Sequence, residues 1–314
     1  MARAFLFPGQ GAQTVGMGRD LAAAYPEARA VFDEVDDALD EKLSALIWEG
    51  DQDELTLTKN AQPALMAMSM AVMAALKSEG VGVDAAVCVA GHSLGEYSAL
   101  AAAEAISLPD AARLLRLRGQ AMQAAVPVGE GAMAAILGLD FVAVKKIAHD
   151  AAHREVLAAA NDNDPGQVVV SGTKAAVERA VDLAKERGAK RAVMLPVSAP
   201  FHCMLMEPAA AAMAEALSHV SIHRPKVPLV ANVLAHDVGD PAVIRSLLVD
   251  QVTHSVRWRE SIEWMVSHVD VTETWEIGAG KALSGMVRRI DRSLAVRSVA
   301  TPDEVKAAVE SMGA

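Results

Sequence analysis

The residues with the clearest chemical meaning are 91–95, which read Gly-His-Ser-Leu-Gly. A short apolar run ends before them at Ala90 and a helix-like run begins after them at Tyr97, so the sequence predicts a strand, a tight turn and a helix. Small residues permit a strained turn that exposes the hydroxyl, and a helix N-terminus favours negative charge. This setting predicts a nucleophile elbow and acyl transfer through an ester of Ser93. The alternative is a serine that only caps a helix.

A serine nucleophile needs a general base, and in acyl transfer the base is usually histidine. Of nine histidines, we expect His202 to serve, because it lies where a predicted insertion returns to the main domain. The alternative for His202 is a structural role. His92 is expected to brace the turn, and His254 and His236 are the reserve candidates. No spacing rule selects an acidic acceptor for the second ring nitrogen, and a backbone carbonyl would serve equally well.

A glycine-rich loop at residues 8–13 follows the first predicted strand and reads Pro-Gly-Gln-Gly-Ala-Gln. It lacks the Lys-Ser/Thr of a Walker sequence and the full Gly-x-Gly-x-x-Gly pattern, so nucleotide binding is weakly indicated. We expect an oxyanion hole instead, in which one N–H of this loop and the N–H of Leu94 converge on the developing alkoxide.

The elements that must position these residues indicate an α/β protein. The segment from 131 to 197 has the order β-α-β-β-α-β, with Thr173 as a helix N-cap and Gly188 as the matching C-cap. The flanking parts predict one parallel sheet with crossover helices, whose ligands gather beyond the carboxyl ends of the strands. The strands expected there are 3–7, 86–90, 228–231 and 272–277.

We therefore expect an α/β-hydrolase-like core with a parallel sheet, interrupted by a smaller ferredoxin-like (βαββαβ) subdomain. The predicted core is discontinuous and comprises residues 1–126 and 199–314, and the predicted insertion comprises 127–198. The active site is expected in the cleft between them.

Composition excludes several classes of protein. The chain has 314 residues, 52% of them hydrophobic, and a net charge of −11. That charge argues against a nucleic-acid binder, which needs a surplus of Lys and Arg. No run has the length of a membrane span or of a secretory signal, so we expect no membrane partner. The two cysteines do not make a disulfide framework, and a cytoplasmic location is expected.

Several motifs occur together in one order: Phe7-Pro8-Gly9-Gln10-Gly11, Gly91-His92-Ser93-Leu94-Gly95-Glu96, Arg118-Gly119, Asn161 with Pro165-Gly166-Gln167, and Phe201-His202. From Phe5 to Arg289 the chain resembles the malonyl-CoA:acyl carrier protein transacylases of fatty-acid synthesis. The resemblance implies ping-pong transfer of malonyl from coenzyme A to Ser93, and then to the phosphopantetheine thiol of an acyl carrier protein. It implies no cofactor and no metal, since malonyl-CoA is a substrate.

The resemblance also assigns catalytic roles by position. It implies that Ser93 is the nucleophile and His202 the base. Gln251 matches the residue whose main-chain carbonyl orients that histidine. Gln10 and Leu94 match the two amide donors of the oxyanion hole.

Three further positions match substrate-binding residues. Arg118 matches the residue that holds the malonyl carboxylate, and a planar guanidinium can give a carboxylate two parallel charge-assisted bonds that an acetyl group cannot accept. Phe201 resembles a bulky neighbour that leaves little room for a methyl branch, and Asn161 matches a substrate-binding position. Ala279 stands where a proline is common, which affects only the expected rigidity of its loop.

Partners and alternatives follow from the same resemblance. The carrier protein is acidic, so we expect it to dock on basic residues, for which we select Lys190, Arg191, Arg288 and Arg289. We expect a monomer. The alternatives are a serine thioesterase or esterase that uses water as acceptor, an acyltransferase that serves polyketide synthesis, and a non-catalytic subunit that kept the fold.

Overall fold

Two β-sheets organise the chain, of which the computed structural model describes residues 2–197 and 199–313. Met1, Ser198 and Ala314, which the predicted domain ranges include, lie outside the described residues. The strands are β1 (Arg3–Phe7), β2 (Cys88–Gly91), β3 (Gly131–Leu137), β4 (Leu157–Asp164), β5 (Gln167–Thr173), β6 (Arg191–Met194), β7 (Leu229–Val230), β8 (Asp237–Val238), β9 (Glu273–Ile277) and β10 (Ala295–Val299).

Helices cover both sheets. In chain order they are α1 (Arg19–Ala24), α2 (Pro26–Leu39), α3 (Leu43–Glu49), α4 (Gln52–Thr56), α5 (Thr58–Ser78), α6 (Gly95–Ala102), α7 (Leu108–Ala124), α8 (Phe141–Ala152), α9 (Lys174–Glu186), α10 (Glu207–Ser218), α11 (Pro241–Asp250), α12 (Trp258–Val269), α13 (Ala282–Ile290) and α14 (Pro302–Glu310). None of the helices in the described part of the chain has both the length and the apolar character to cross a membrane.

The larger sheet has the strand order β10-β9-β1-β2-β7-β8. The five strands from β10 to β7 are parallel, and every residue of β1 is buried, as expected for a strand covered on both faces. Phe7 lies opposite Gly91 in the register of β1 and β2. The loops that follow these two strands therefore leave the same edge of the sheet side by side, which places Gln10 near Ser93.

The smaller sheet is antiparallel and has the order β4-β5-β3-β6. One face packs on α8 and α9 through a cluster that includes Ala134, Val168 and Val170. The other face carries Met133 and Val169 and is turned toward the larger unit. The order β-α-β-β-α-β predicted for this segment is confirmed, as is the Thr173 cap, whose side chain accepts from the N–H of Ala176.

Two features of the larger sheet differ from the prediction. β10 was not predicted, and β8 is antiparallel to β7, so the expectation of a wholly parallel sheet is wrong at that edge. β8 has only two residues and follows β7 by a short connection, which permits a hairpin-like return, whereas a parallel partner would need a long crossover.

The two units are joined at the cleft by a short backbone bridge. Val256 accepts from the N–H of Asp162 at 2.9 Å and donates to the carbonyl of Ala160 at 2.9 Å. Beside it, Arg259 forms an ion pair with the buried Asp162 at 2.8 Å. These contacts hold β4 over the carboxyl edge of the larger sheet, so its buried polar side chains Asn161 and Asn163 form part of one wall of the cleft.

Candidate active site

Ser93 stands on a strained turn between β2 and α6. Its φ angle is 54°, in the left-handed region that a non-glycine residue seldom adopts. A Cβ on Gly91 would lie 1.9 Å from the carbonyl carbon of Gly95, and a Cβ on Gly95 would lie 2.2 Å from the carbonyl oxygen of Phe7. Both glycines of the motif are therefore required by close backbone contact, as the predicted elbow demands.

The structure brings His202 to Ser93, as predicted. Nε2 of His202 accepts from the Oγ of Ser93 at 2.8 Å, and Nδ1 donates to the main-chain carbonyl of Gln251 at 2.8 Å. This second bond fixes the tautomer that leaves Nε2 free to take a proton. Burial, together with the nearby charge of Arg118, lowers the pKa of His202 to about 3, so the ring is neutral near pH 7.

Arg118 is buried, with 1% of its surface exposed, and points from α7 at the nucleophile. Its Nη2 lies 3.2 Å from the Oγ of Ser93 and 2.9 Å from Oε1 of Gln251. Its Nη1 donates to Oε1 of Gln62 at 2.8 Å. Among the described residues its side-chain acceptors are all uncharged, and no ion pair there includes Arg118. Burial lowers the pKa of Arg118.

The position of Arg118 depends on close packing of α5 and α7. Gly119 faces α5, and a Cβ there would lie 2.6 Å from Cα of Lys59 and 2.6 Å from the carbonyl oxygen of Thr58. The absence of a side chain lets the helices approach until Gln62 of α5 reaches the guanidinium. This contact explains why a glycine follows the arginine.

The predicted oxyanion donors lie in the loops that follow β1 and β2. Leu94 precedes the first turn of α6, and Gln10 lies in the loop after β1. Both residues line the same cavity as Ser93. The paired strands β1 and β2 thus bring both loops to the cavity, which is the arrangement that the predicted oxyanion hole requires.

The cavity has a volume of about 530 Å³ and lies between the two units. Asn161 and Phe201 both line it, as predicted. Met133 from β3, Leu195 directly after β6 and Met286 from α13 contribute apolar side chains to the wall. A cavity of this volume, with a few polar groups among apolar ones, is typical of a small-molecule site.

His92 braces the turn, as expected. Its Nε2 is 2.9 Å from Oδ1 of Asn163 on β4, and its ring packs edge-on against Trp258. Burial lowers its pKa, so the ring stays neutral. His92 thus ties the nucleophile loop to the smaller unit and takes no part in the contacts of Ser93 Oγ. The reserve candidates His254 and His236 are exposed and bond to neighbouring backbone carbonyls.

The sequence did not indicate a set of buried polar side chains behind the nucleophile. Glu96 and Asn232 are almost fully buried and connect to the side chain of Gln251. Burial raises the pKa of Glu96 to about 7, against the opposing effect of its hydrogen bonds and of Arg118. Gln62 and Asn163 were also missed. Asn232 directly follows the predicted strand 228–231, and its place beyond the carboxyl end of that strand is the signal that the sequence offers.

Three of the four basic residues selected for docking, Lys190, Arg191 and Arg289, lie along one end of the smaller sheet, and Arg288 precedes Arg289 on α13. In the register, Arg191 lies opposite Leu137, which also pairs with Gln167, and Gln167 pairs with Asp164. Arg289 completes the row by contacting Asp164 at 2.7 Å. With strands about 4.8 Å apart, Arg191 is roughly 14 Å from Asp164. We call Lys190, Arg191, Arg288 and Arg289 the basic edge; all four are exposed.

Comparison with known proteins identifies the class of this protein. A model of the acyl transferase domain family matches residues 4–273. The malonyl CoA-acyl carrier protein transacylase of Bacillus subtilis (strain 168) is 48% identical over 310 residues, which cover 98% of this chain and 96% of the relative. This fold with this match defines an acyltransferase.

Solved structures agree. The acyl-carrier-protein-S-malonyltransferase of Bartonella henselae has a TM-score of 0.97 at 55% identity, with 100% of both chains covered. A malonyl-transacylase in complex with its type II PKS acyl-carrier protein has a TM-score of 0.96 at 41% identity, covering 99% of this chain and 100% of that one. The chain belongs to the malonyl CoA-acyl carrier protein transacylase family.

Proposed function

We propose that this chain transfers malonyl from malonyl-CoA to the phosphopantetheine thiol of an acyl carrier protein, by a ping-pong mechanism through a malonyl ester of Ser93. One observation supports this most: the Oγ of Ser93 lies 2.8 Å from Nε2 of His202 and 3.2 Å from Nη2 of Arg118. A nucleophile, a neutral base and a buried cation thus meet at one atom, and a carboxylated acyl group is the substrate that would use all three.

In the first half-reaction, Oγ of Ser93 attacks the thioester carbonyl and its proton passes to Nε2 of His202. The resulting alkoxide accepts from the N–H groups of Gln10 and Leu94, and loss of one such donor typically costs about 3 kcal/mol of transition-state stabilisation. The carbonyl re-forms as the C–S bond breaks, and the CoA sulfur leaves with the proton from His202. The main-chain carbonyl of Gln251 stabilises the imidazolium while it exists.

The second half-reaction runs the same steps with a different thiol. His202 takes the proton of the phosphopantetheine thiol, the sulfur attacks the Ser93 ester, and the serine oxygen leaves with the proton from His202. The malonyl thioester of the carrier protein and free Ser93 result, so no proton or electron is gained or lost overall.

Acyl selection rests on Arg118 and Phe201. Arg118 would bind the malonyl carboxylate through two charge-assisted bonds. Phe201 would restrict a methyl branch, although one methyl group in an apolar pocket is worth only about 1–3 kcal/mol. Asn161 would bind the remaining part of the substrate in the cavity. A hydrolase has no need of a buried guanidinium beside its nucleophile, which favours the transferase over the thioesterase or esterase.

The experiment is intact mass spectrometry of the protein after mixing with malonyl-, methylmalonyl- or acetyl-CoA, followed by a phosphopantetheinylated carrier protein. A malonyl adduct on Ser93 that moves to the carrier is expected. An adduct lost to water would indicate the hydrolase, and no adduct would indicate a non-catalytic subunit. Carriers of fatty-acid and of type II polyketide synthesis, added in parallel, distinguish the two pathways.

We propose that the basic edge docks the acidic carrier protein. Gln167, which lies in the same row, also lines the cavity, so a carrier bound there would have its prosthetic group near the entrance. Reversing Arg288 and Arg289 to Glu should weaken transfer to the carrier and leave malonylation of Ser93 by malonyl-CoA intact. The same reversal at Lys145 and Lys146 on α8 is the charge-matched control. Equal loss in both half-reactions would refute the proposal.

We further propose to describe residues 1–126 and 199–314 as an α/β-hydrolase-like core and 127–198 as a ferredoxin-like insertion. The antiparallel order β4-β5-β3-β6 with two helices on one face supports the second description.

The two free, buried cysteines, Cys88 and Cys203, support a location in the reducing cytoplasm. Analytical ultracentrifugation would test the expected monomer.

A further inference from the structure

Glu96 is a buried carboxylate directly behind the nucleophile, and the proposed reaction assigns it no role. It lies in the first turn of α6, with 1% of its surface exposed. A single oxygen, Oε2, accepts two hydrogen bonds, from the main-chain N–H of Asn232 at 3.1 Å and from Nε2 of Gln251 at 2.8 Å. Burying a carboxylate is costly unless it is well bonded, so its retention at this place requires an explanation.

Asn232 connects Glu96 to the backbone of the elbow. Its Oδ1 accepts from the N–H of Ser93 at 2.8 Å, and its Nδ2 donates to the carbonyl of Gly91 at 2.7 Å. These two bonds bracket the turn in which Ser93 adopts its left-handed conformation. By holding the N–H of Asn232, Glu96 fixes the loop that fixes the turn.

Gln251 connects Glu96 to both the base and the cation. Its main-chain carbonyl accepts from His202, and its side-chain Oε1 accepts from Nη2 of Arg118 at 2.9 Å. Its Nε2 donates to the carbonyl of Ser93 at 2.9 Å and to Glu96. Oε2 of Glu96 also accepts from the N–H of Asn232, so it is an acceptor toward Gln251 and favours the amide orientation that turns Nε2 toward Glu96. The reverse orientation would place an NH₂ group against the guanidinium.

We propose that Glu96 is a positioning residue that, through Gln251 and Asn232, sets the geometry of Ser93, His202 and Arg118 together. The inference rests on the proposed function for its account of acyl selection. It predicts that a change at Glu96, which touches no substrate, alters both serine reactivity and the preference for a carboxylated acyl group. A purely structural role would lower the amount of folded enzyme and leave both properties of the folded fraction unchanged.

Three variants of Glu96 separate the effect of side-chain length, which we call reach, from the effect of its charge. Glu96→Gln keeps an oxygen that can accept both bonds but has no charge. Glu96→Asp keeps the charge but withdraws the carboxylate by one methylene, and Glu96→Ala removes both. Glu273→Gln is the matched control, because Glu273 is also a buried carboxylate, paired with Arg3 at the far end of the larger unit.

Two readouts are taken per folded active site, counted by serine titration. The first is the ratio of kcat/KM for malonyl-CoA to that for acetyl-CoA. The second is the labelling rate of Ser93 with a neutral fluorophosphonate, which depends on the serine and its base but not on Arg118 binding a carboxylate. We expect Glu96→Ala and Glu96→Asp to lower both on the order of 10-fold, with Glu96→Gln much closer to wild type and Glu273→Gln unchanged.

The proposal is overturned if Glu96→Ala or Glu96→Asp retains both the wild-type ratio and the wild-type labelling rate. It is also overturned if Glu96→Gln is the more impaired of the two conservative variants, because charge would then matter more than reach. Glu96→Asp keeps the test open should Glu96→Ala fail to fold. If wild-type protein forms no malonyl adduct, the proposed function fails, whereas fluorophosphonate labelling still decides the role of Glu96.

Discussion

Replacement of Arg118 by alanine should change the rates with malonyl-CoA and acetyl-CoA in opposite directions. The guanidinium is buried and has no ionic partner within the described residues, so its charge is available to a substrate carboxylate. Hydrogen bonds to charged groups contribute about 1.5–3 kcal/mol each. A two-bond clamp is then worth about 3–6 kcal/mol, and its loss should lower kcat/KM for malonyl-CoA on the order of 10²- to 10⁴-fold.

The rate with acetyl-CoA should rise, because Arg118 restrains the catalytic pair when no carboxylate is bound. Its Nη2 donates to the Oγ of Ser93 at 3.2 Å, and its charge contributes to the low pKa of His202. Removing the side chain frees a lone pair on the nucleophile and makes the base stronger. General-base catalysis follows base strength only in part, so we expect a gain of about 2- to 10-fold in acetylation of Ser93.

The assay is rapid-quench mass spectrometry of acyl-Ser93 with each thioester. Arg113→Ala is the control, since Arg113 lies on the same helix with its side chain exposed. Retained acetylation shows that the variant is folded. An equal loss with both substrates would mean that Arg118 serves structure alone, and an unchanged rate with malonyl-CoA would refute the clamp.

Three other changes test separate parts of the site. Ser93→Ala should abolish the acyl adduct, and His202→Ala should slow its formation on the order of 10³-fold or more, both measured by intact mass. Because the pKa of His202 is lowered to about 3, His202 is already neutral well below pH 6.5. The rate of acylation should therefore not fall as the pH is lowered through the usual histidine pKa. Since the pKa of Glu96 is raised to about 7, the profile is repeated with Glu96→Gln, and a fall that persists in that variant would contradict the assignment. Gly119→Ala should lower the free energy of unfolding in urea by about 1–3 kcal/mol, because its Cβ would meet backbone of α5 at 2.6 Å.

The sequence predicted those parts of the site that leave a local signal. A serine between two glycines requires a preceding strand and a following helix, and both are legible nearby, so the elbow was predictable. His202 was selected by its place at the return of the insertion. The pairing of that histidine with a main-chain carbonyl has no local signal, since any residue can supply a carbonyl. It came from the family resemblance alone.

The buried polar side chains behind the nucleophile were not predictable for a related reason. Glu96 and Gln62 lie on helices that are buried on nearly all sides, whereas a charged or amide side chain on a helix normally faces solvent. Asn232 reaches the elbow from a loop 139 residues away. Which of these side chains become buried depends on how the helices pack on the larger sheet. That packing cannot be predicted from local sequence patterns. The short antiparallel strand β8 was missed for the same reason.

Neutral amides are the means by which this fold holds a buried cation without neutralising it. Had Glu96 paired directly with Arg118, the clamp would already be occupied by a carboxylate and a malonyl group would have to displace it. Gln251 instead lies between them, accepting from the guanidinium and donating to the carboxylate. The carboxylate thus orients Gln251 without occupying the guanidinium, and the N–H groups directed at Ser93 remain available to the substrate. Glu96 and Arg118 should therefore show non-additive effects on malonyl selection when both are changed.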